Sequence, residues 1–579
     1  MRSIRTAEER VLALHKENHI AGSVHPCVGQ EVVPAVVLAH LDERDRVLST
    51  YRGHGWALAS GVPLAAFFAE MMGRSGGVNG GRGGSAHMSA PEHGFIGENS
   101  IVAGSMPIAN GVAMALRDRG EGGIAVCSIG DGATNQGAAH EALVFARARS
   151  VPVLFICENN AWSEMTPIAD TVPGAQLHDR VRAMGLDAAR VDGSDAEGVV
   201  AAVREAVAAV REGRPYFLEV SVPRLLGHYN LDIQHYRSES DRAEHEARDP
   251  LARLADELVR RGVVSPDELT ALESAVADSV DAAVEEALSQ PSADITGVRE
   301  HLYADAEIRS GAAALPTEGR ELAYGLAVNR ALELELAARP ETVTFGEDIA
   351  IPGGTFGVTR NLRKRFGDAR VFDTPISESA ILGAAVGAGI GGMRPIVEIM
   401  WSDFLFVAFD QIINQASNVR YVSEGRQSAP LVIRTQQGIT PGSCAQHSQS
   451  IEALLAHIPG IRVGMPSNAA DAFSMTRAAI ASDDPVVMIE ARSRYLTKGI
   501  VDVDAAVEPI GGARSHGTGA DVLLVAWGTA VDLALEAQRL LLAEGVDATV
   551  LDLRWIAPLD MRTLLSEFGR TGRRAVIVH

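Results

Sequence analysis

Short apolar runs rich in β-branched residues alternate with alanine-rich stretches along almost the whole chain, and this alternation constrains the fold most. Runs of this length and composition read as strands, and strands alternating with helices pair in parallel, covered on both faces. The strand candidates are IAVCSI (124–129), VPVLFICEN (151–159), RPYFLEVSV (214–222), RPIVEIM (394–400), APLVIRT (429–435), DPVVMIE (484–490), DVLLVAW (521–527) and RAVIVH (574–579). Amphipathic helical patterns such as 195–211 and 531–544 lie between them. The expectation is an α/β protein built on parallel sheets.

A chain of 579 residues divides into about three or four domains. With 46% apolar and 22% charged residues it has material for several cores, which excludes a disordered, fibrous or disulfide-scaffold protein. Lys plus Arg number 52 and Asp plus Glu 74, and the resulting net charge of −22 gives no broad attraction to nucleic acid or anionic lipid. Four scattered cysteines without a CxxC pair fit a reducing cytosol and speak against a cysteine-ligated cluster or structural zinc. The first twenty residues are charged and amphipathic, unlike a signal sequence. No stretch approaches the roughly 18 apolar residues of a membrane span, the longest (380–393) being glycine-rich. A soluble, cytoplasmic protein is expected.

Two seams divide the chain. Residues 251–288 read as long surface helices, followed by SQPSADITG and GAAALPTEG (311–319), and a new pattern begins at 320. A second seam, EPIGGARSHGTGAD (508–521), precedes a final α/β block. That block closes on RAVIVH, patterned like an interior strand with no helix after it, so an incomplete domain is expected there. The boundaries read as domains over 1–300, 320–507 and 508–579, with a linker over 301–319.

Chemistry concentrates where a strand stops at Gly130-Asp131-Gly132, a helix follows, and the next strand ends in Glu158-Asn159-Asn160. In a right-handed strand–helix–strand unit both strand ends open onto one sheet edge, where ligands of open α/β folds bind. Asp131 and Asn160 then converge as two hard oxygen ligands. The glycines let backbone approach a phosphate, and the following helix N-terminus favours an anion. Magnesium held by one or two protein oxygens plus ligand phosphates fits this arrangement. Taken alone, either motif is an ordinary turn; their combination is what carries the reading.

GDGATNQGAAHEA…VPVLFICENNAW resembles the thiamine-diphosphate signature of the decarboxylating component of 2-oxo acid dehydrogenase complexes. STYRGHGWALASGV, GGRGGSAHM and GENSIVAGSMPIANGVAMA resemble that family's α-subunit. GEDIAIPGGTFGVTRNL, RVFDTPISESAILGAAVGAGIGGMRPIVEIMWSDF, FDQIINQASNVRY and AQHSQSIEALLAHIPG resemble its β-subunit. The resemblance implies an α–β fusion with a thiamine-diphosphate-binding fold: two parallel-sheet cofactor domains plus a partial C-terminal α/β domain. It also implies a cofactor site split between the halves. Tyr51 and Arg52 hold the diphosphate with His54 beside them, and Ser100 and Val102 touch the cofactor through backbone. Gly130, Asp131, Gly132 and Ala133 form the turn. Asp131, Asn160 and the carbonyl of Trp162, where the family usually has Tyr, bind magnesium. In the second half Ile376, Met400 and Phe404 line the site.

Glu378 in DTPISESA matches the family's catalytic glutamate. Placed in a dry pocket, its carboxyl would favour the protonated form and exchange a proton with the aminopyrimidine, yielding the reactive ylide. His25, His228 and His447 match active-site histidines, a residue type suited to proton transfer near neutrality. His228 lies in HYNLDIQHYRSESDRAEHEARDP, which reads as too charged for a core and as a mobile loop over the cofactor. Tyr229 stands where mitochondrial relatives carry a regulatory serine.

The implied reaction is decarboxylation of a small 2-oxo acid, with the acyl group passed to a lipoyl-bearing acyltransferase, and the implied assembly is a homodimer. Bulky apolar Met400, Trp401 and Phe404 favour a short, uncharged side chain, of pyruvate or acetoin type, with a branched-chain acid as the alternative. A transketolase-like enzyme would need basic residues for a sugar phosphate. A nicotinamide dehydrogenase would need the GxGxxG fingerprint after the first strand, which is not found. A scaffold would not need Asp131, Asn160 and Glu378 together.

Overall fold

The computed structural model describes residues 1–172 and 176–579, which form two compact units. The first comprises Met1–His301 with Val419–Gln427, and the second Leu302–Asn418 with Ser428–His579.

The first unit is organised by a six-stranded, all-parallel sheet in the order Phe95–Gly97, Arg46–Leu48, Ala125–Gly130, Val153–Asn159, Tyr216–Ser221, Asp187–Asp192. Its central strands are apolar on both faces, and Val126, Leu154, Ile156 and Leu218 are wholly buried. Helix Ala196–Arg211 follows the sequence pattern closely, with the Asp195 side chain accepting from Gly198 N at its start. Helix Pro266–Ser289 opens with a capping box in which Ser265 and Glu268 satisfy each other's backbone, as SPDE encodes.

A glycine-rich loop, 77–84, is shaped by one buried carboxylate. Glu70 accepts from the backbone N–H groups of Asn79, Gly81, Gly83 and Gly84 at 2.6–3.0 Å. Segment Val419–Gln427 clasps the same loop. Arg426 pairs with Glu92 and donates to the carbonyls of Val78 and Ser89, and Glu424 pairs with Arg82 at 2.8 Å. These are long-range contacts that local sequence patterns do not announce.

The second unit holds a seven-stranded sheet in the order Val371–Asp373, Thr342–Gly346, Arg394–Ile399, Val432–Gln437, Val486–Ala491, Arg462–Gly464, Trp555–Ala557. All pairs are parallel except the last. The glycine-rich stretch at 380–393 forms a buried helix, Glu378–Ile390, where a Cβ on Gly389 would come within 3.1 Å of Ala429 Cα and Pro430 Cδ. Among the described residues no helix is long and apolar enough to cross a membrane.

A smaller sheet runs Arg514–His516, Ala548–Asp552, Val522–Ala526, Ala575–Val578. The strand expected to be interior, Ala575–Val578, lies instead at the sheet edge, with Val576 and Ile577 exposed. Its apolar pattern suits burial, but among the described residues only Val522–Ala526 pairs with it.

Buried charge ties this sheet to its neighbour. Asp471, on helix Ala469–Ala481, receives both Arg514 and Arg554 with all three side chains inaccessible or nearly so. Removing one partner from a buried cluster strands the others, a loss of about 3–5 kcal/mol. Asp471→Ala should therefore lower the denaturation midpoint of this unit, read by chemical unfolding; an unchanged midpoint would show the two arginines find solvent instead.

Candidate active site

The parallel pairing sets Gly130 opposite Glu158, so the turn after the first strand and the loop after the second share one sheet edge. There a cavity of about 480 Å³ opens in the first unit. Its walls include the Gly130–Asp131–Gly132–Ala133 turn, Asn160, Trp162, Tyr51, Arg52, Ser100, Val102, His25 and His228.

Local hydrogen bonds fix the metal-type ligands. Asp131 is 2% exposed; its Oδ1 accepts from Gly132 N at 2.8 Å, and its Oδ2 is buried without a partner. Asn160 Oδ1 accepts from Trp162 N at 3.0 Å, while Asn159 Nδ2 donates to buried Glu219 at 2.8 Å. A side chain at Gly132 would collide with Ser163. Burial pushes the Asp131 carboxyl up to about 6.

Two neutral imidazoles and a guanidinium face this turn. Arg52 donates to the carbonyls of Pro26 (2.5 Å) and His228 (3.1 Å), which fixes its position without neutralising it. The His25 ring lies 4.7 Å from Tyr51 and 5.0 Å from His228, and His25 Nδ1 has no partner. Burial, reinforced by the Arg52 charge, lowers His25 to about 4 and His228 to about 3. Both rings are thus held in the neutral form at pH 7, each with a ring nitrogen that can accept a hydrogen bond.

Sequence reasoning missed Gln30 and Glu158. Gln30 is 1% exposed on the cavity wall, and neither of its amide heteroatoms has a partner. Glu158 takes both Trp56 Nε1 (2.6 Å) and Ser128 Oγ (2.9 Å) on Oε1, and burial raises it to about 7. The signal for Glu158 was available: a carboxylate at the end of an apolar strand, one residue before the Asn pair.

His54 does not line the cavity. It is wholly buried, its Nδ1 3.1 Å from Glu8 Oε2 and its Nε2 3.0 Å from Ser85. It sits on the first turn of helix His54–Ala59, which turns its ring inward onto the N-terminal helix Arg2–Lys16 rather than toward Arg52. Glu98 beside it carries one buried, unpartnered oxygen, and burial lifts it to about 8.

The segment after His228 also packs more than its charge suggested. Its charges are paired inside: Asp232 Oδ2 accepts from His228 N (2.6 Å) and from the Tyr236 hydroxyl (2.5 Å), and Tyr236 accepts from buried Arg224 (2.7 Å). Arg237 is 5% exposed, bonded to Asp241 and to the Arg224 carbonyl, and lies with Arg224 against Trp162.

In the second unit, Trp401 and Phe404 flank His447 with ring centroids at 4.9 and 5.4 Å, and Thr355 Oγ1 donates to Met400 Sδ. Glu378 occupies the first turn of its helix, directly after buried Ser377 and the 84% exposed Ile376. The Glu378 side chain is partly buried.

Comparison with known proteins agrees with this layout. The model of the dehydrogenase E1 component matches residues 1–296, that of the transketolase pyrimidine-binding domain 320–497, and that of the transketolase C-terminal domain 511–579. The chain belongs to the dehydrogenase E1 component family. It carries α-type and β-type domains of this family in one polypeptide, and it is a thiamine-diphosphate-dependent oxidoreductase. The acetoin:2,6-dichlorophenolindophenol oxidoreductase β-subunit of Cupriavidus necator is 42% identical over 268 residues, 45% of this chain and 79% of that one. The 2-oxoisovalerate dehydrogenase β-subunit of Bacillus subtilis is 39% identical over 253 residues, 44% of this chain and 77% of that one. The pyruvate dehydrogenase E1 β-subunit of Leifsonia xyli subsp. xyli is 40% identical over 250 residues, 43% of this chain and 74% of that one.

The E1 cavity suits a diphosphate with a divalent cation. Among the described residues no group of three or more His, Cys, Asp and Glu could hold a metal ion. A cation held here would draw on the orphaned Asp131 Oδ2 together with neutral oxygens and phosphate oxygens.

Behind the E1 cavity, burial alone would lower His54, but the Glu8 carboxylate outweighs it and raises the ring to about 9. Its stabilising contribution is full below the ordinary value of 6.5 and is lost as pH rises through about 9. The stability advantage of wild type over Glu8→Gln should follow that course in denaturation at pH 6 to 10. A pH-independent difference would exclude a charged pair.

Proposed function

We propose that this E1 chain carries out the oxidative decarboxylation of a short, apolar 2-oxo acid and passes the acyl group to a lipoyl-bearing acyltransferase. The bond to the carboxylate breaks, carbon dioxide leaves, and the two-electron oxidation of the acyl unit is balanced by reduction of the lipoyl disulfide. The observation that carries this reading is the orphaned Asp131 Oδ2 beside Asn160 at the shared edge of two parallel strands. Thiamine diphosphate, when bound, supplies the electron sink for the pair released with carbon dioxide.

Asp131, Asn160 and the Trp162 carbonyl hold magnesium; Tyr51 and Arg52 hold the diphosphate, with Ser100, Val102 and the Gly130–Ala133 turn contributing backbone. Neutral His25 and His228 move protons during acyl transfer. Glu378 would hold the proton that the aminopyrimidine nitrogen needs, and His447 with Ile376, Met400 and Phe404 would bound the reacting end. The aromatic lining around His447 supports a small side chain over a branched one. We assign 1–300 to the α-type domain, 301–319 to a linker, 320–507 and 508–579 to the β-type domains, and a homodimer as the assembly.

Asp131→Ala should abolish magnesium-dependent cofactor binding while leaving the fold intact; calorimetry giving wild-type affinity would overturn the assignment. Glu378→Gln keeps volume but cannot exchange the proton, so deuterium exchange at the cofactor's reactive carbon should slow by about 10²–10⁴-fold. Wild-type exchange would remove Glu378 from that role. Turnover of pyruvate against 3-methyl-2-oxobutanoate with an artificial electron acceptor decides the side-chain class.

A further inference from the structure

A second cavity, of about 660 Å³, lies wholly within the second unit and is lined by Trp401, Arg492, His447 and the 440–446 loop. None of its lining side chains is a carboxylate, while Thr440 and Ser443 add hydroxyl groups bonded to one another. The Arg492 guanidinium carbon stands 4.5 Å from the Trp401 ring centroid, and one of its nitrogens donates to Ser443 Oγ. Other arginines of this unit are neutralised: Arg434 by Glu398 and Glu490, Arg462 by Asp484, Arg477 by Glu335, Arg494 by Asp532. Among the described residues Arg492 meets no carboxylate.

The platform beneath it is rigid. Trp401 adopts φ +73°, a conformation strained for a bulky side chain, and is held by edge-to-face contacts with Phe356 (5.2 Å) and His447 (4.9 Å). Its N–H donates to buried Gln436 at 3.3 Å. A guanidinium fixed on an aromatic face keeps its fork oriented with most donors free, the geometry that takes a carboxylate in bidentate fashion.

We propose that Arg492 is a specificity-determining residue that receives the substrate's carboxylate, with the Trp401 ring bounding its short apolar side chain. The assignment rests on the 2-oxo acid reading above and selects anionic 2-oxo acids over uncharged acyloins and diketones. Because the carboxylate departs as carbon dioxide, the interaction acts on substrate binding, and its loss falls on KM more than on kcat.

The test titrates the cofactor-loaded wild type, Arg492→Gln and Arg492→Lys with oxamate, an anion shaped like pyruvate whose amide carbonyl resists attack. Arg492→Gln should weaken oxamate by about 10- to 100-fold, as expected for a lost charge-assisted hydrogen bond, and Arg492→Lys by less. The ratio of kcat/KM for pyruvate to that for 2,3-butanedione should fall by a similar factor in Arg492→Gln. Wild type that does not bind oxamate, Arg492→Gln that binds it as wild type does, or an equal loss on both substrates overturns the assignment. Oxamate affinity is read without turnover. Wild type that binds it through Arg492 yet reduces no acceptor with any 2-oxo acid would instead overturn the decarboxylation reading alone.

Discussion

The pairing of strands Ala125–Gly130 and Val153–Asn159 is the constraint on which the active site depends. Parallel pairing makes both chains leave the sheet on the same side, so Asp131 and Asn160 arrive together without any contact between them in sequence. Neighbouring strand Tyr216–Ser221 extends that edge and feeds the segment that brings His228 to the cavity. Arg52 reaches it from the chain after strand Arg46–Leu48, on the other side of the same sheet. One topological rule thus gathers residues from four separate stretches of chain.

Around this edge, backbone and side-chain groups are positioned by buried polar partners more than by apolar packing. Glu70 gathers four N–H groups of the glycine-rich loop, Glu219 anchors Asn159, and Asp232 joins His228 to Tyr236 and Arg224. Such groups cost free energy to bury and are retained only where each finds a partner. Among the exceptions are Asp131 Oδ2, His25 Nδ1 and both ends of Gln30. All three residues line the cavity, which is where a ligand would complete them. In the second unit the same logic separates Arg492, without a carboxylate partner in its cavity, from Arg434, which two glutamates neutralise in the core.

The apolar runs and their spacing determined the strands that build the sheets: the runs at 124–129, 151–159, 214–222, 394–400, 429–435, 484–490 and 521–527 are all parallel strands or the bulk of one. Short edge strands such as Arg46–Leu48 and Val371–Asp373 were not legible, because three residues carry no period. The GDG and NN motifs determined which two side chains with hard oxygens, Asp131 and Asn160, line the cavity, since each motif is local to one turn. What tertiary structure alone decided is direction and environment. His54 sits one helical residue from Gly53 yet faces Glu8, and within the largely exposed charged stretch after His228 the guanidinium of Arg237 is buried because Asp241 and the Arg224 carbonyl pair with it. Each outcome depends on partners that the fold brings close, and a sequence window registers a residue's own polarity but not the group that will neutralise it.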